Sequence, residues 1–263
     1  MSVKGQLLLN GVGVGGGRDD QTAFNKAGLI VQPPTTGPFK KAPLPFCDPI
    51  GVVDFFDDFF TFIKDTTDID GWVVWNGGVN NYDVTLGSNA GKGGELAIQS
   101  TDPANTSDIV TVRTNQPIIH TISNKPVWFG CRLLGYSHAY SDVYVGLMSY
   151  TGTPDPTDVA KMIHLVGFEI PPTMYPTVII RNNGNALLGQ SMSSRVTDQV
   201  YNEYGFYIDD SNVEYYINGQ LVYTKERGTN IPSAPLYPFV SVKATSTTQH
   251  AALVDYIRSI CYR

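Results

Sequence analysis

The sequence predicts an all-β protein, a two-sheet antiparallel sandwich or jelly roll carrying an extended N-terminal arm. Three observations carry that prediction. Glutamate, a strong helix former, is scarce in 263 residues, occurring only at Glu95, Glu169, Glu203, Glu214 and Glu226, while Gly (26), Pro (17), Tyr (15) and Phe (12) are plentiful. From Val52 onward, short β-branched and aromatic runs alternate with turn residues. The first 53 residues are instead rich in glycine and proline, a composition that builds no core of its own.

The arm, residues 1–53, holds Gly11, Gly13, Gly15, Gly16 and Gly17, then Pro33, Pro34, Pro38, Pro43, Pro45 and Pro49. Glycine lowers the cost of unusual turns and proline favours extended chain. Two apolar clusters, Leu7-Leu8-Leu9 with Val12 and Val14, and Leu29-Ile30-Val31, exceed what a solvated linker needs. They are read as partner-binding residues that lie across a neighbouring subunit or add to a sheet edge, the alternative being that the arm packs on its own sandwich.

The sandwich domain, residues 54–263, follows as a series of strands. Val127–Leu134, Asp142–Leu147 and Pro176–Arg181 are too short and too β-branched for helices. Asn212–Thr224 is a hairpin turning at Asn218-Gly219, because Asn-Gly adopts the positive φ angles of a type I′ turn. Ala251–Cys261 alternates as a closing strand, with Val254, Tyr256 and Ile260 expected on one face. A single helical turn is expected near Pro156–Lys161, and no fixed-period repeat suggests a propeller.

Charge and special residues exclude several functions. The formal net charge of −6 supplies no cationic footprint for nucleic acid. No run of 18 apolar residues predicts a membrane span, and the start does not read as a signal peptide. Cys47, Cys131 and Cys261 are odd in number and widely spaced, so buried free thiols are expected rather than a disulfide framework or zinc site.

Four stretches together resemble the concanavalin A-like, laminin-G-like jelly-roll domains of tailed-bacteriophage structural proteins. Asp54–Phe59 looks like the opening strand, with Gly71-Trp72 near the start of the second. Lys125–Arg132 resembles a central strand entered from a Lys-Pro turn and carrying an outward arginine. Phe206–Gly219 resembles the hairpin pair and Val254–Arg258 the closing strand. The resemblance implies a virion protein, a capsid decoration or cement protein assembled in the host cytoplasm and seated on the capsid exterior. There it would bind the major capsid protein, bridge coat subunits and stabilise the shell, with a homotrimer expected by analogy.

Gly11–Gly16 satisfies G-x-G-x-x-G, but a proline-rich stretch follows where a dinucleotide site needs a helix and an acid, so no cofactor is expected. Asp65–Gly71 is acidic yet lacks the first Asp and last Glu of an EF-hand, and reads as a turn-forming loop, with a lectin-type calcium loop the open alternative. Glycosidases place paired carboxylates beside the scissile bond, and in sandwich enzymes these usually share one strand. No Glu here has an acid two positions on, Ser191 lacks the flanking residues of a nucleophile elbow, and His120, His138, His164 and His250 are scattered. The expectation is therefore no enzyme, no metal and no catalytic residue. The rival reading is glycan recognition by a tail or fibre protein, with Trp72, Trp75, Tyr136 and Tyr140 as the stacking aromatics.

Overall fold

The structure is a computed structural model, and it describes residues 8–9, 12–13, 37–41, 52–59, 71–76, 82–86, 94–100, 109–136, 141–150, 162–183, 188–193, 196–197, 199–245 and 250–262. Among these residues the strands are β1 (Leu8–Leu9), β2 (Val12–Gly13), β3 (Val52–Asp57), β4 (Trp72–Asn76), β5 (Tyr82–Leu86) and β6 (Leu96–Ser100). Next come β7 (Ile109–Thr114), β8 (Ile119–His120), β9 (Val127–Tyr136), β10 (Ser141–Tyr150), β11 (Met162–Ile170) and β12 (Thr177–Arg181). The last are β13 (Leu188–Ser191), β14 (Asn202–Ile208), β15 (Asn212–Ile217), β16 (Gln220–Glu226), β17 (Pro235–Ala244) and β18 (His250–Tyr262).

Two antiparallel sheets form the sandwich. The first runs β13-β12-β11-β10-β17-β7-β4, with β8 also beside β17. The second runs β16-β15-β14-β9-β18-β6-β5, with β3 also beside β18. The closing strand β18 is central: β9 lines one side of it, while β6 pairs with its first half and β3 with its second.

Period-two alternation builds the core between the sheets. Val143, Val145 and Leu147 of β10 meet Phe129 of β9, Phe206 of β14 and Tyr215 of β15 in one buried cluster. Phe129 stacks on Phe206 at 4.9 Å, and Phe168 meets Tyr215 edge-on at 5.4 Å and 89°. Each such ring contributes about 1.5–3 kcal/mol through burial. Cys131 and Cys261 are buried free thiols, and burial holds the Cys131 thiol well above its ordinary pKa.

The hairpin forms as the sequence predicts, with Asn218 at φ 49° and Gly219 at φ 76°. The expected face of the closing strand needs correction. A register shift between Val254 and Tyr256 inserts Asp255 as a bulge. Val254 therefore faces the core, while Tyr256, opposite the outward Arg132, and Ile260 lie on the far side. Leu8 and Leu9 pair with Gly13 and Val12 in a minimal ladder. Leu7, Val14, Leu29, Ile30, Val31, the Asp65–Asp70 loop and the expected turn at Pro156–Lys161 lie outside the described residues.

One piece of the arm is fixed to the sandwich. A 3-10 turn, Pro38–Lys41, lies on the outer face of the second sheet, where the Gly37 N–H donates to the Gly219 carbonyl at 3.1 Å. Pro38 and Phe39 rest on Gly205 and Gly130, which face each other across β14 and β9. Trp128, Tyr207, Tyr216 and Ile260 complete this second apolar layer, and Arg258 lies 5.4 Å over the Phe39 ring. That guanidinium also grips Asp54 of β3 with two bonds, at 3.0 and 2.7 Å.

Candidate functional site

Residues that alternate with the core positions of the first sheet form its outer face. On β10 these are Asp142, Tyr144, Met148 and Tyr150. Beside them stand Glu169 of β11, Lys243, Ser241 and Phe239 of β17, Thr111 and Arg113 of β7, and Trp75 of β4. A band of Tyr144, Met148, Leu165, Ile179 and Phe239 is buried across the middle, with Trp75 packed against it. The Thr111 and Ser241 hydroxyls satisfy each other at 2.6 Å within it.

Charged groups gather toward the Asp142 end. Tyr144 pairs in register with Glu169, and its hydroxyl donates to Glu169 Oε1 at 3.0 Å. Asp142, two residues before Tyr144 on the same strand, is the diagonal neighbour of Glu169, a relation that sets their side-chain roots about 7 Å apart. Burial pushes the Asp142 carboxyl up to about 6, the negative charge of Glu169 adds to the rise, and Lys243 directly across the ladder opposes it. The result is two acids on one face of neighbouring strands, one of them with its pKa raised to about 6.

Toward the other end of the same strands is an arginine held by two rings. Arg113 lies 4.7 Å from the Tyr237 ring and 5.1 Å from the Tyr150 ring, and donates to the Tyr150 hydroxyl at 2.7 Å. The two rings stack at 5.8 Å. Among the described residues no three His, Cys, Asp or Glu side chains converge on a point where a metal would sit.

The residues singled out from sequence fall in different places. Trp72 is 5% exposed, faces the core and donates its indole N–H to Asp57 Oδ2 at 2.6 Å, so it offers no stacking surface. Trp75 is half-buried on the outer face just described. Tyr136 ends β9, and Tyr140 lies outside the described residues. Sequence reasoning missed Asp142 and Glu169 because it looked for acids sharing one strand, whereas these belong to two. The available signal was a single acid breaking each of two otherwise apolar strands.

No family model and no curated protein matches the chain. Solved structures do share its fold. An endo-1,3-β-glucanase from Streptomyces sioyaensis is 13% identical, covering 84% of this chain and 99% of the other at TM-score 0.53. A Bacillus licheniformis β-glucanase is 18% identical, covering 80% and 97% at TM-score 0.52. The carbohydrate recognition domain of Emp47p is 10% identical, covering 80% and 96% at TM-score 0.54. The chain thus has a two-sheet, concanavalin A-like jelly-roll fold, and at these identities the likeness is one of fold. The expectation of a chain without enzymatic activity is corrected by this comparison, since glycoside hydrolases stand among the structures that share the fold.

Proposed function

We propose that this protein is a carbohydrate-active sandwich that engages a polysaccharide at the half-buried, charged end of the first sheet's outer face, with Asp142 as the general acid and Glu169 as its partner carboxyl group. The diagonal pairing of these two acids across β10 and β11 carries the reading. Glycosidic hydrolysis needs one carboxyl that keeps its proton near working pH and one that does not, separated by roughly 5–9.5 Å. Burial raises the Asp142 carboxyl to about 6, and the diagonal register sets the roots of the two side chains about 7 Å apart. Incubation with soluble β-glucans and release of reducing ends tests it. Glu169→Gln and Asp142→Asn should each lower release at least a hundredfold, as expected for loss of a positioned acid or base. No release by the native chain from any polysaccharide tried would remove the hydrolytic role, and retained glycan binding would then leave recognition alone.

A second reading concerns where the protein acts. The resemblance to phage structural domains and the arm ahead of the sandwich support a virion protein that attaches to the major capsid protein, or to a tail, through residues 1–36. The anchor at Gly37–Phe39 gives such an arm a fixed starting point. Removing residues 1–36 should abolish binding to purified phage capsids, and undiminished binding would overturn the arm's role.

A further inference from the structure

A third surface serves neither the carboxyl pair nor the arm's anchor. Where the sheets end at β13 and β16 they part, leaving a cleft of about 690 Å³ that continues into a second of about 320 Å³. Gln190 and Tyr223 line both, so the two form one groove along the open edge of the sandwich. Its floor is the end of the hydrophobic core, at Met192, Val196 and Ile217.

The chemistry of the groove is uniform. Two amides are fixed beneath it: Asn202 Nδ2 donates to the Thr197 and Val200 carbonyls at 3.0 Å each, and Asn202 Oδ1 accepts from Asn218 Nδ2 at 3.0 Å. Above them Gln190, Ser191, Ser193, Thr197 and Gln220 are exposed and present amide and hydroxyl groups that both donate and accept. Apolar surface runs beside these groups, with Leu221 52% and Leu188 39% exposed, and the Tyr223 ring stands at the junction of the two clefts. Among the described residues no carboxylate, ammonium or guanidinium lines the larger cleft, and Lys225 enters only the smaller one.

We propose that this edge groove is a second binding site, distinct from the outer face of the first sheet, and that it takes an uncharged oligosaccharide chain. An ionic ligand would lose its hydration there without meeting an opposite charge. A sugar chain offers hydroxyls that match amides and hydroxyls in both directions, together with C–H faces that match Leu221 and Tyr223. The elongated, two-part shape suits several linked rings rather than one. The choice of ligand class rests on the carbohydrate reading above, whereas the location does not depend on the carboxyl pair.

The test is titration of the full chain, followed by side-chain amide NMR, with a neutral β-glucan hexasaccharide, a hexauronate and a short extended peptide. Binding of the neutral sugar with shifts at the Gln190 and Gln220 amides is expected, and the Gln190→Ala/Gln220→Ala double variant should weaken it at least tenfold. Both side chains are exposed, so this variant should fold normally, and Tyr223→Ala provides an independent check. Undiminished binding by the double variant, with loss in Glu169→Gln, would overturn the groove while leaving the carbohydrate reading intact. Preference for the hexauronate, or for the peptide as an added strand on β13, would also overturn it. If no sugar binds anywhere on the chain, both readings fall together.

Discussion

Asp142 holds its proton to about pH 6 because folding removes water from its carboxyl and sets it beside Glu169. Since the ordinary pKa is 3.8, the folded chain binds more protons than the unfolded chain between about pH 4 and pH 6. Stability contributed by this group is thus fully present below that window and is lost as pH rises through it. The group is half-buried, so the cost above pH 6 is about 1 kcal/mol once solvent screening is allowed for. Asp142→Asn should therefore match the native chain in thermal melts near pH 4 and exceed it by about 2–4 °C near pH 7.5. A difference that does not change with pH would contradict the assignment. If Asp142 is the acid, native activity should fall as pH rises through about 6, because the carboxyl must be protonated to act. A variant more stable yet inactive is what a strained functional position predicts.

At the scale of elements, the docking of Gly37–Phe39 shows how two glycines admit a neighbour. A β-carbon at Gly205 would sit 2.5 Å from Pro38 Cγ and 2.7 Å from the Phe129 carbonyl oxygen, and the latter belongs to a strand that cannot yield. Gly205→Ala should destabilise the protein by about 1–3 kcal/mol and lift the turn from the sheet. Limited trypsin digestion would detect this as faster cleavage at Lys40 and Lys41. Gly189→Ala on exposed β13, whose β-carbon would meet only the Thr177 methyl at 3.3 Å, is the control and should leave cleavage unchanged. The bulge at Asp255 acts on the same scale. It turns Tyr256 to the outer face and lets Asp255 accept from Arg132 at 2.6 Å, which fixes the arginine that the family resemblance placed outward.

Across the whole molecule, pairing between β3 and β18 and between β9 and β18 joins distant parts of the chain, so the sandwich closes only when its last strand arrives. The sequence by itself determined the all-β class, the hairpin at Asn218-Gly219 and the central strands. These depend on local chemistry: period-two alternation, β-branched side chains and the backbone freedom of Asn-Gly. The buried state of Cys131 and Cys261 was equally legible, because a lone thiol in an apolar strand has few other fates. Tertiary structure alone decided the rest. The Asp142–Glu169 pair exists only through the register of β10 against β11, the edge groove only because the sheets diverge at β13 and β16, and the core position of Trp72 only through how β4 packs. Alternation tells which residues share a face of one strand. Which strands lie side by side, and how far each slides, is settled by the packing of the whole core, and the candidate site is a product of that register.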